Sequence, residues 1–384
     1  MTGPVATAWQ LPLRPELHGQ VPYGAPQLDV PVRLNTNENP YPPSAKVVAD
    51  ITAAVSAAAA GLNRYPDRDC MELRTALAGY LDGEAGARLG PGRLWPANGS
   101  NEVMQQLLQA FGGPGRTALS FAPTYSMYPE YARNTHTEWV TGRRAADFGL
   151  DLDEATGLIS RLQPSVVLLT SPNNPTGTAL PQSQLRAVLD VAPGVVIVDE
   201  AYAEFRRAGV PSAVTLLADY PQLIVTRTMS KAFALAGGRL GYLAASAEVV
   251  DAVRIVRLPY HLSAVSQATA LAALANSAEL LATVQALRTE RDATVSWLRG
   301  QGLRAADSDA NFVLFGTFAD GHAVWQGLLD RGVLIRETGP DGWLRVSIGT
   351  AEDMRAFRGA LSEVAALAER AGSSLTGLRK EERG

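Results

Sequence analysis

The sequence predicts an α/β protein, with a large domain built on a mostly parallel sheet covered by helices and a smaller α/β domain towards the C-terminus. Three observations carry that prediction. Short β-branched runs recur at residues 117–121, 166–170, 195–199, 223–228 and 241–245. Helical stretches such as 182–190 separate several of them, and near-continuous apolar strands alternating with helices belong to sheets buried on both faces. Finally, 384 residues are too many for one small core and suit two domains of unequal size.

In chain order, residues 1–33 are rich in proline and glycine and show no period, so they read as an arm lying on another surface. A helix is expected from Ser44, its N-cap, to Ala60, with Val47, Val48, Ile51 and Val55 on one face. Another runs from Asn101 to Phe111, with Val103, Met104, Leu107, Leu108 and Phe111 as its stripe. The five central strands follow. Residues 311–315 and 343–348 read as strands of the second domain. A last helix carries Met354, Phe357, Leu361, Val364 and Leu367, opened by Thr350 and Asp353 as a capping pair. The charged tail 379–384 is expected to fray.

The bulk composition narrows the function. A hydrophobic fraction of 46% and a charged fraction of 19% are those of an ordinary globular protein. A formal charge of −4 argues against a nucleic-acid partner. The single cysteine, Cys70, excludes an intrachain disulfide framework and suggests a reducing compartment. The four histidines have no metal-binding spacing, so no metal is expected. No signal peptide is read at residues 1–20, and the apolar window 51–62 is too short to span a membrane. A cytoplasmic protein without a membrane partner is the expectation.

Polar residues cluster where strands end, at Asn173-Asn174, Asp199-Glu200 and Ser230-Lys231, and ligands of open α/β sheets bind outside the carboxyl ends of strands. Lys231 follows a buried strand, where desolvation and neighbouring cations lower a lysine's pKa as Schiff-base chemistry requires. Arg239 lies eight residues on, beyond a glycine-rich turn, where a guanidinium can clamp a phosphate. A surface lysine leading into a helix would read the same way. Ser171 to Gly177 is a turn with or without a task. Asp199 ends an apolar strand, where an acid needs a partner. It could keep a cofactor's ring nitrogen protonated, or it could cap a helix.

Asn174, Asp199, Lys231 and Arg239 occur in one order on successive strand ends, and that combination resembles the fold-type-I, pyridoxal-phosphate-dependent aminotransferases. The SPNNPTG and TxSKAFxxAGxR elements (Ser171–Gly177, Thr228–Arg239) carry the resemblance most specifically. It extends over nearly the whole chain, through Leu34 to Pro40, Arg64 to Asp67, Gly99 to Glu102, Pro123 to Tyr125, Val198 to Phe205 and Leu344 to Thr350. It is nearest to the histidinol-phosphate aminotransferase family, and to its actinobacterial members.

The resemblance implies pyridoxal 5'-phosphate held as a Schiff base on Lys231, which also shuttles the proton at the substrate Cα. It implies that Asp199 pairs with the pyridine nitrogen, that Asn174 and Tyr202 bind the phenolic oxygen, and that Tyr125 stacks on the ring. Ser100, Asn101, Thr228, Ser230 and Arg239 would cup the phosphate, helped by the helix N-terminus. Tyr65 would reach the phosphate from the neighbouring subunit of a homodimer. Arg345 would clamp the substrate carboxylate, with Asn37 also at the substrate, and Arg336 and Tyr23 would hold the phosphate of histidinol phosphate. The implied domains are the arm (1–33), a small domain (34–45 and 270–384) and a large cofactor-binding domain (46–269). Two positions depart from the family: Asn101 stands where many members have an acid, and His261 stands where proline is common.

The reaction so implied interconverts histidinol phosphate and 2-oxoglutarate with imidazole-acetol phosphate and glutamate, in histidine biosynthesis. An aromatic amino-acid aminotransferase, a threonine-phosphate decarboxylase and a non-catalytic binding module share the fold, and fold alone does not separate them.

Overall fold

A computed structural model of the chain describes residues 11–370, so the first ten residues of the arm and the tail at 379–384 lie outside it. The arm runs without regular structure, apart from one turn at Pro15–Leu17, to β1 (Val32–Arg33). Helix α1 (Ala45–Ala59) begins where the Ser44 hydroxyl accepts the Val47 amide, as an N-cap should. Its buried stripe is narrower than expected: Val47 is fully buried but Val48 is half exposed. The two lie about 100° apart around the axis, and only one side meets the neighbouring helix.

Next come α2 (Met71–Ala85), β2 (Leu94–Ala97), α3 (Ser100–Phe111), β3 (Thr117–Ala122), α4 (Tyr128–Asn134) and β4 (Glu138–Arg143). They are followed by α5 (Leu152–Leu162), β5 (Val166–Thr170), α6 (Gln182–Val191), β6 (Val195–Asp199), β7 (Leu223–Thr228) and β8 (Gly241–Ala244). Helices α7 (Ala247–Val256) and α8 (Ala264–Ala275) close this part of the chain.

Seven of these strands form one sheet in the order β2-β8-β7-β6-β5-β3-β4, and all run parallel except β8. The central strands are buried almost throughout, which is why they read as continuous apolar runs. Strand alternation sends Val167, Leu169, Val196 and Val198 into a core shared with α2, α5 and α6. The alternate residues Val166, Leu168, Ile197 and Ile224 meet α3 and α7 on the other face. Ala270 and Ala273 of α8 join the first of these cores, and α8 packs on α1 and α2. A boundary at residue 270 therefore cuts a helix that belongs with the large sheet.

The remaining elements are α9 (Ser277–Leu280), α10 (Val284–Gly300), β9 (Arg304–Ala305), β10 (Phe312–Gly316), α11 (Gly321–Leu329), β11 (Val333–Leu334), β12 (Arg336–Glu337), β13 (Leu344–Ser347) and α12 (Ala351–Arg370). Strands β12-β13-β10-β9 make an antiparallel sheet, while β1 pairs with β11 in a separate two-stranded parallel sheet that ties the arm to this part of the chain. A separate core of Leu287, Leu298, Leu328, Met354 and Phe357 covers that sheet. The Thr350–Asp353 capping box forms as expected, with reciprocal bonds of 2.8 and 3.2 Å. Among the described residues, no single helix is long and apolar enough to cross a membrane.

Candidate active site

The carboxyl ends of β5, β6 and β7 open into a cavity of about 240 Å³, which the arm and the second sheet close from above. Lys231 follows β7 there, and its Nζ donates to the Thr36 carbonyl at 2.8 Å. Burial brings its pKa down to about 8, with the Arg345 and Arg239 guanidiniums pushing the same way and Glu38 opposing.

Asp199 is the last residue of β6. Its Oδ2 accepts the Tyr128 hydroxyl at 3.0 Å, and its Oδ1 accepts the Thr226 hydroxyl and the Ala201 amide at 3.2 Å each. Burial raises the pKa of this acid, although all three donors favour its charged form. Among the described residues no cation forms an ion pair with it.

Asn174, in the turn after β5, donates to the Tyr202 hydroxyl at 3.3 Å and accepts from Arg345 at 2.6 Å. The Tyr202 oxygen also accepts Asn37 Nδ2 at 3.1 Å, so Asn37, Tyr202, Asn174 and Arg345 form one chain of hydrogen bonds. Arg345 sits on the fully buried β13, donates to the Asn35 carbonyl at 2.7 Å and lies over the Phe312 ring. Burial lowers its pKa to about 10, and its Nε finds no partner among the described residues.

Arg336 is paired in register with Arg345 across β12 and β13 and stands at the cavity mouth. Among the described residues its guanidinium reaches only the Gly24 carbonyl, at 3.3 and 3.4 Å. The adjacent Glu337 turns instead to His322, at 3.0 Å. Tyr23, half exposed on the arm, accepts the Ser126 hydroxyl at 3.1 Å beside it.

At the opposite end of the cavity, α3 presents Ser100 and Asn101 as its first residues after Gly99. Gly99 has φ +85°, and a Cβ there would stand 2.6 Å from Arg239 Nη2. A Cβ on Gly241 would strike the Ser100 amide. Two glycines thus let a guanidinium and a helix N-terminus converge. Ser230 Oγ accepts from Arg239 at 3.2 Å, and Thr228 Oγ1 accepts the Ser230 amide at 3.1 Å.

Tyr125 lines the cavity wall, edge-on to Tyr128 with ring centroids 5.5 Å apart. Tyr65 lies outside the cavity, largely exposed and stacked on Tyr260 at 4.3 Å. His261 anchors its loop, stacking on Trp95 at 5.1 Å and bonding the Pro96 carbonyl at 2.9 Å.

The cavity therefore gathers every predicted site residue of the chain except Tyr65. Sequence reasoning missed Thr36, Asn35, Thr170, Thr226 and Tyr128. Tyr128 carried one available signal: it follows Tyr125 at a spacing of three, next to a strand end.

The residues fit pyridoxal phosphate. A buried acid without a cation partner suits a pyridinium nitrogen, an amine of lowered pKa suits an aldehyde, and the glycine-bounded cradle beside Arg239 suits a phosphate. Among the described residues no group of three or more His, Cys, Asp or Glu is placed to hold a metal.

The sheet, the cradle and the buried lysine define a pyridoxal-phosphate enzyme, and the family model "Aminotransferase class I and II" matches residues 30–361. The chain belongs to that family, whose members are pyridoxal-phosphate enzymes. The chain is 63% identical to histidinol-phosphate aminotransferase 3 of Burkholderia lata over 93% of its own length and 96% of the relative's. It is 62% identical to histidinol-phosphate aminotransferase of Thermobifida fusca, covering 91% and 95% respectively. Among solved structures, the Sinorhizobium meliloti histidinol-phosphate aminotransferase in complex with pyridoxal-5'-phosphate superposes with TM-score 0.81 at 24% identity, over 93% of this chain and 98% of that one. A mutant Thermus thermophilus aspartate aminotransferase gives TM-score 0.77 at 25% identity, over 92% and 99%.

Proposed function

We propose that the chain transfers the amino group between histidinol phosphate and 2-oxoglutarate, as a step of histidine biosynthesis. The observation that carries the reading is the pair of arginines in register. Arg345 is buried beside Asn174 and suits a carboxylate close to the reacting carbon. Arg336 stands at the mouth beside Tyr23, among the described residues without a carboxylate partner, and suits a phosphate farther out. The names of the two high-identity relatives support it.

Bound pyridoxal phosphate supplies the electron sink. In this reading Lys231 holds the cofactor and moves the proton at the substrate Cα. Asp199 keeps the ring nitrogen protonated, and Tyr202 and Asn174 hold the phenolic oxygen. Tyr125 covers the ring, while Ser100, Asn101, Thr228, Ser230 and Arg239 bind the phosphate. Asn37 orients Tyr202 at the substrate side. We further assign residues 34–45 and the second sheet to a small domain, with α8 left in the large one, and a cytoplasmic location consistent with a single free cysteine.

The test compares histidinol phosphate with phenylalanine as donor to 2-oxoglutarate. Hydrogen bonds to charged groups contribute about 1.5–3 kcal/mol, so Arg336→Ala should lower kcat/KM for histidinol phosphate roughly 10- to 100-fold. Phenylalanine, without a phosphate, should change far less. An equal loss on both donors makes Arg336 structural and favours the aromatic aminotransferase.

A homodimer completes the proposal. Leu62, Tyr65, Ile255 and Leu258 are large apolar residues left more than half exposed, with Tyr260 stacked on Tyr65. If Tyr65 serves the partner's site, mixing Lys231→Ala with Tyr65→Ala subunits should restore activity above either parent. Verified heterodimers giving only the parental average would place Tyr65 within its own subunit's work, or outside catalysis.

A further inference from the structure

We infer that Tyr128 is the positioning residue that keeps Asp199 ionised and aligned towards the cofactor's ring nitrogen. The inference rests on the reading of Asp199 as the partner of that nitrogen. Tyr128 opens α4 and is fully buried, its hydroxyl at the ends of β5 and β6. Its hydroxyl lies 2.7 Å from Thr170 Oγ1 and donates to Asp199 Oδ2 at 3.0 Å. Thr170 ends β5 directly opposite Asp199 in the parallel register, so two adjacent strand ends aim the phenol at the carboxylate.

The three donors to Asp199 are not equivalent. The Thr226 hydroxyl and the Ala201 amide both serve Oδ1, whereas among the described residues Oδ2 has only Tyr128. Loss of the phenol therefore leaves one carboxylate oxygen without a protein donor in a buried site. The same ring meets Tyr125 edge-on, so a single side chain supports both the acid and the aromatic wall beside it.

The consequence is a matter of where one proton rests. A donor to the carboxylate stabilises the charged acid and leaves the proton on the ring nitrogen. Without it, Asp199 becomes the stronger base, draws the proton towards itself, and the ring becomes a weaker electron sink. A less positive ring also raises the pKa read from the visible absorbance of the bound cofactor. The other titratable groups around Asp199 are Glu200, Tyr125, Tyr131 and Tyr202, with Lys231, Arg239 and Arg345 in the same cavity. None of these donates a hydrogen bond to it.

The experiment uses the holoenzyme and compares Tyr128→Phe, Thr170→Val and Asp199→Asn. Tyr128→Phe keeps the ring and its packing and removes only the hydroxyl. Its absorbance pKa should move up by roughly one unit and kcat fall about 10-fold, with KM little changed. Thr170→Val frees the phenol from its second partner and should shift the same pKa in the same direction by less; it carries the test if Tyr128→Phe does not fold. A strong effect of Asp199→Asn with no pKa shift in either hydroxyl variant overturns the role of Tyr128. No effect of Asp199→Asn on the absorbance pKa instead overturns the reading of Asp199 itself, and this proposal with it.

Discussion

Asp199 and Glu200 are consecutive residues at the end of one strand, yet they lie in opposite electrostatic worlds. Asp199 faces the cavity and is met by two hydroxyls and an amide. Glu200 faces the other side of the sheet, where Arg227 donates to it at 2.8 Å, Arg206 at 3.3 Å and Ser212 at 2.7 Å. Glu84, which pairs with both arginines, and Glu204, which pairs with Arg227, complete that cluster. Burial pushes both acids up, but the guanidiniums bring Glu200 net below the usual carboxylate range while Asp199 stays above it. Charge closed within the chain is architecture. Charge given only neutral donors is prepared for a cation that arrives with the ligand.

The largest effect expected on the cavity side comes from Lys231. Lys231→Ala should remove turnover altogether, and borohydride should no longer fix a pyridoxyl group to the protein. In the wild type, borohydride should bleach the visible band and label the peptide containing Lys231. A label on Lys46 instead would dismantle the assignment of the cavity.

The next prediction sets the two acids against each other. Arg227→Met takes the guanidinium from Glu204 and leaves Glu200 to share Arg206 with Glu84, and breaking such a buried cluster costs about 3–5 kcal/mol. Urea unfolding of the apoprotein should show that loss. Asp199→Asn should leave apoprotein stability unchanged or raise it, because a buried acid of raised pKa opposes folding wherever it must ionise. Its kcat should fall on the order of 100-fold or more, the scale of removing one preorganised electrostatic contact. If Asp199→Asn destabilises the apoprotein as much as Arg227→Met does, the two clusters do not differ in kind.

That difference was only half legible in the sequence. The strands β5, β6 and β7 were readable because burial on both faces makes them continuously apolar. The edge strand β4, Glu-Trp-Val-Thr-Gly-Arg, was not, since half of it faces solvent and its polar residues hide the period. Helix α2 escaped because its buried residues include Arg74 and its apolar and polar residues are only weakly segregated. In the site, residues at strand ends were found because local order places them there. Tyr128 and Thr36 were not, because they meet Asp199 and Lys231 across 71 and 195 residues of chain. Arg227 stood directly before the most specific motif but had no assigned task; its partners become visible only when strand alternation turns it away from Lys231.

The smallest effect tests whether the sheet really separates the two sides electrically. Only the neutral amine of Lys231 can attack the cofactor's aldehyde. With a pKa of about 8, roughly a quarter of the amine is neutral at pH 7.5, against about 0.1% for an ordinary lysine. The rate of reconstitution of the apoprotein with pyridoxal phosphate should therefore rise through a midpoint near 8. Arg345→Met removes one of the two guanidiniums that lower this pKa, while burial, the larger cause, remains. The midpoint should then move up, by roughly half a unit to one unit. Arg227→Met changes charge beyond the sheet, among carboxylates that already enclose it, and should leave the midpoint where it is. A wild-type midpoint near 10 would mean that burial does not control Lys231. Equal shifts in the two variants would mean that the closed cluster leaks its field into the cavity, and the contrast between the two faces of β6 would then be one of packing rather than charge.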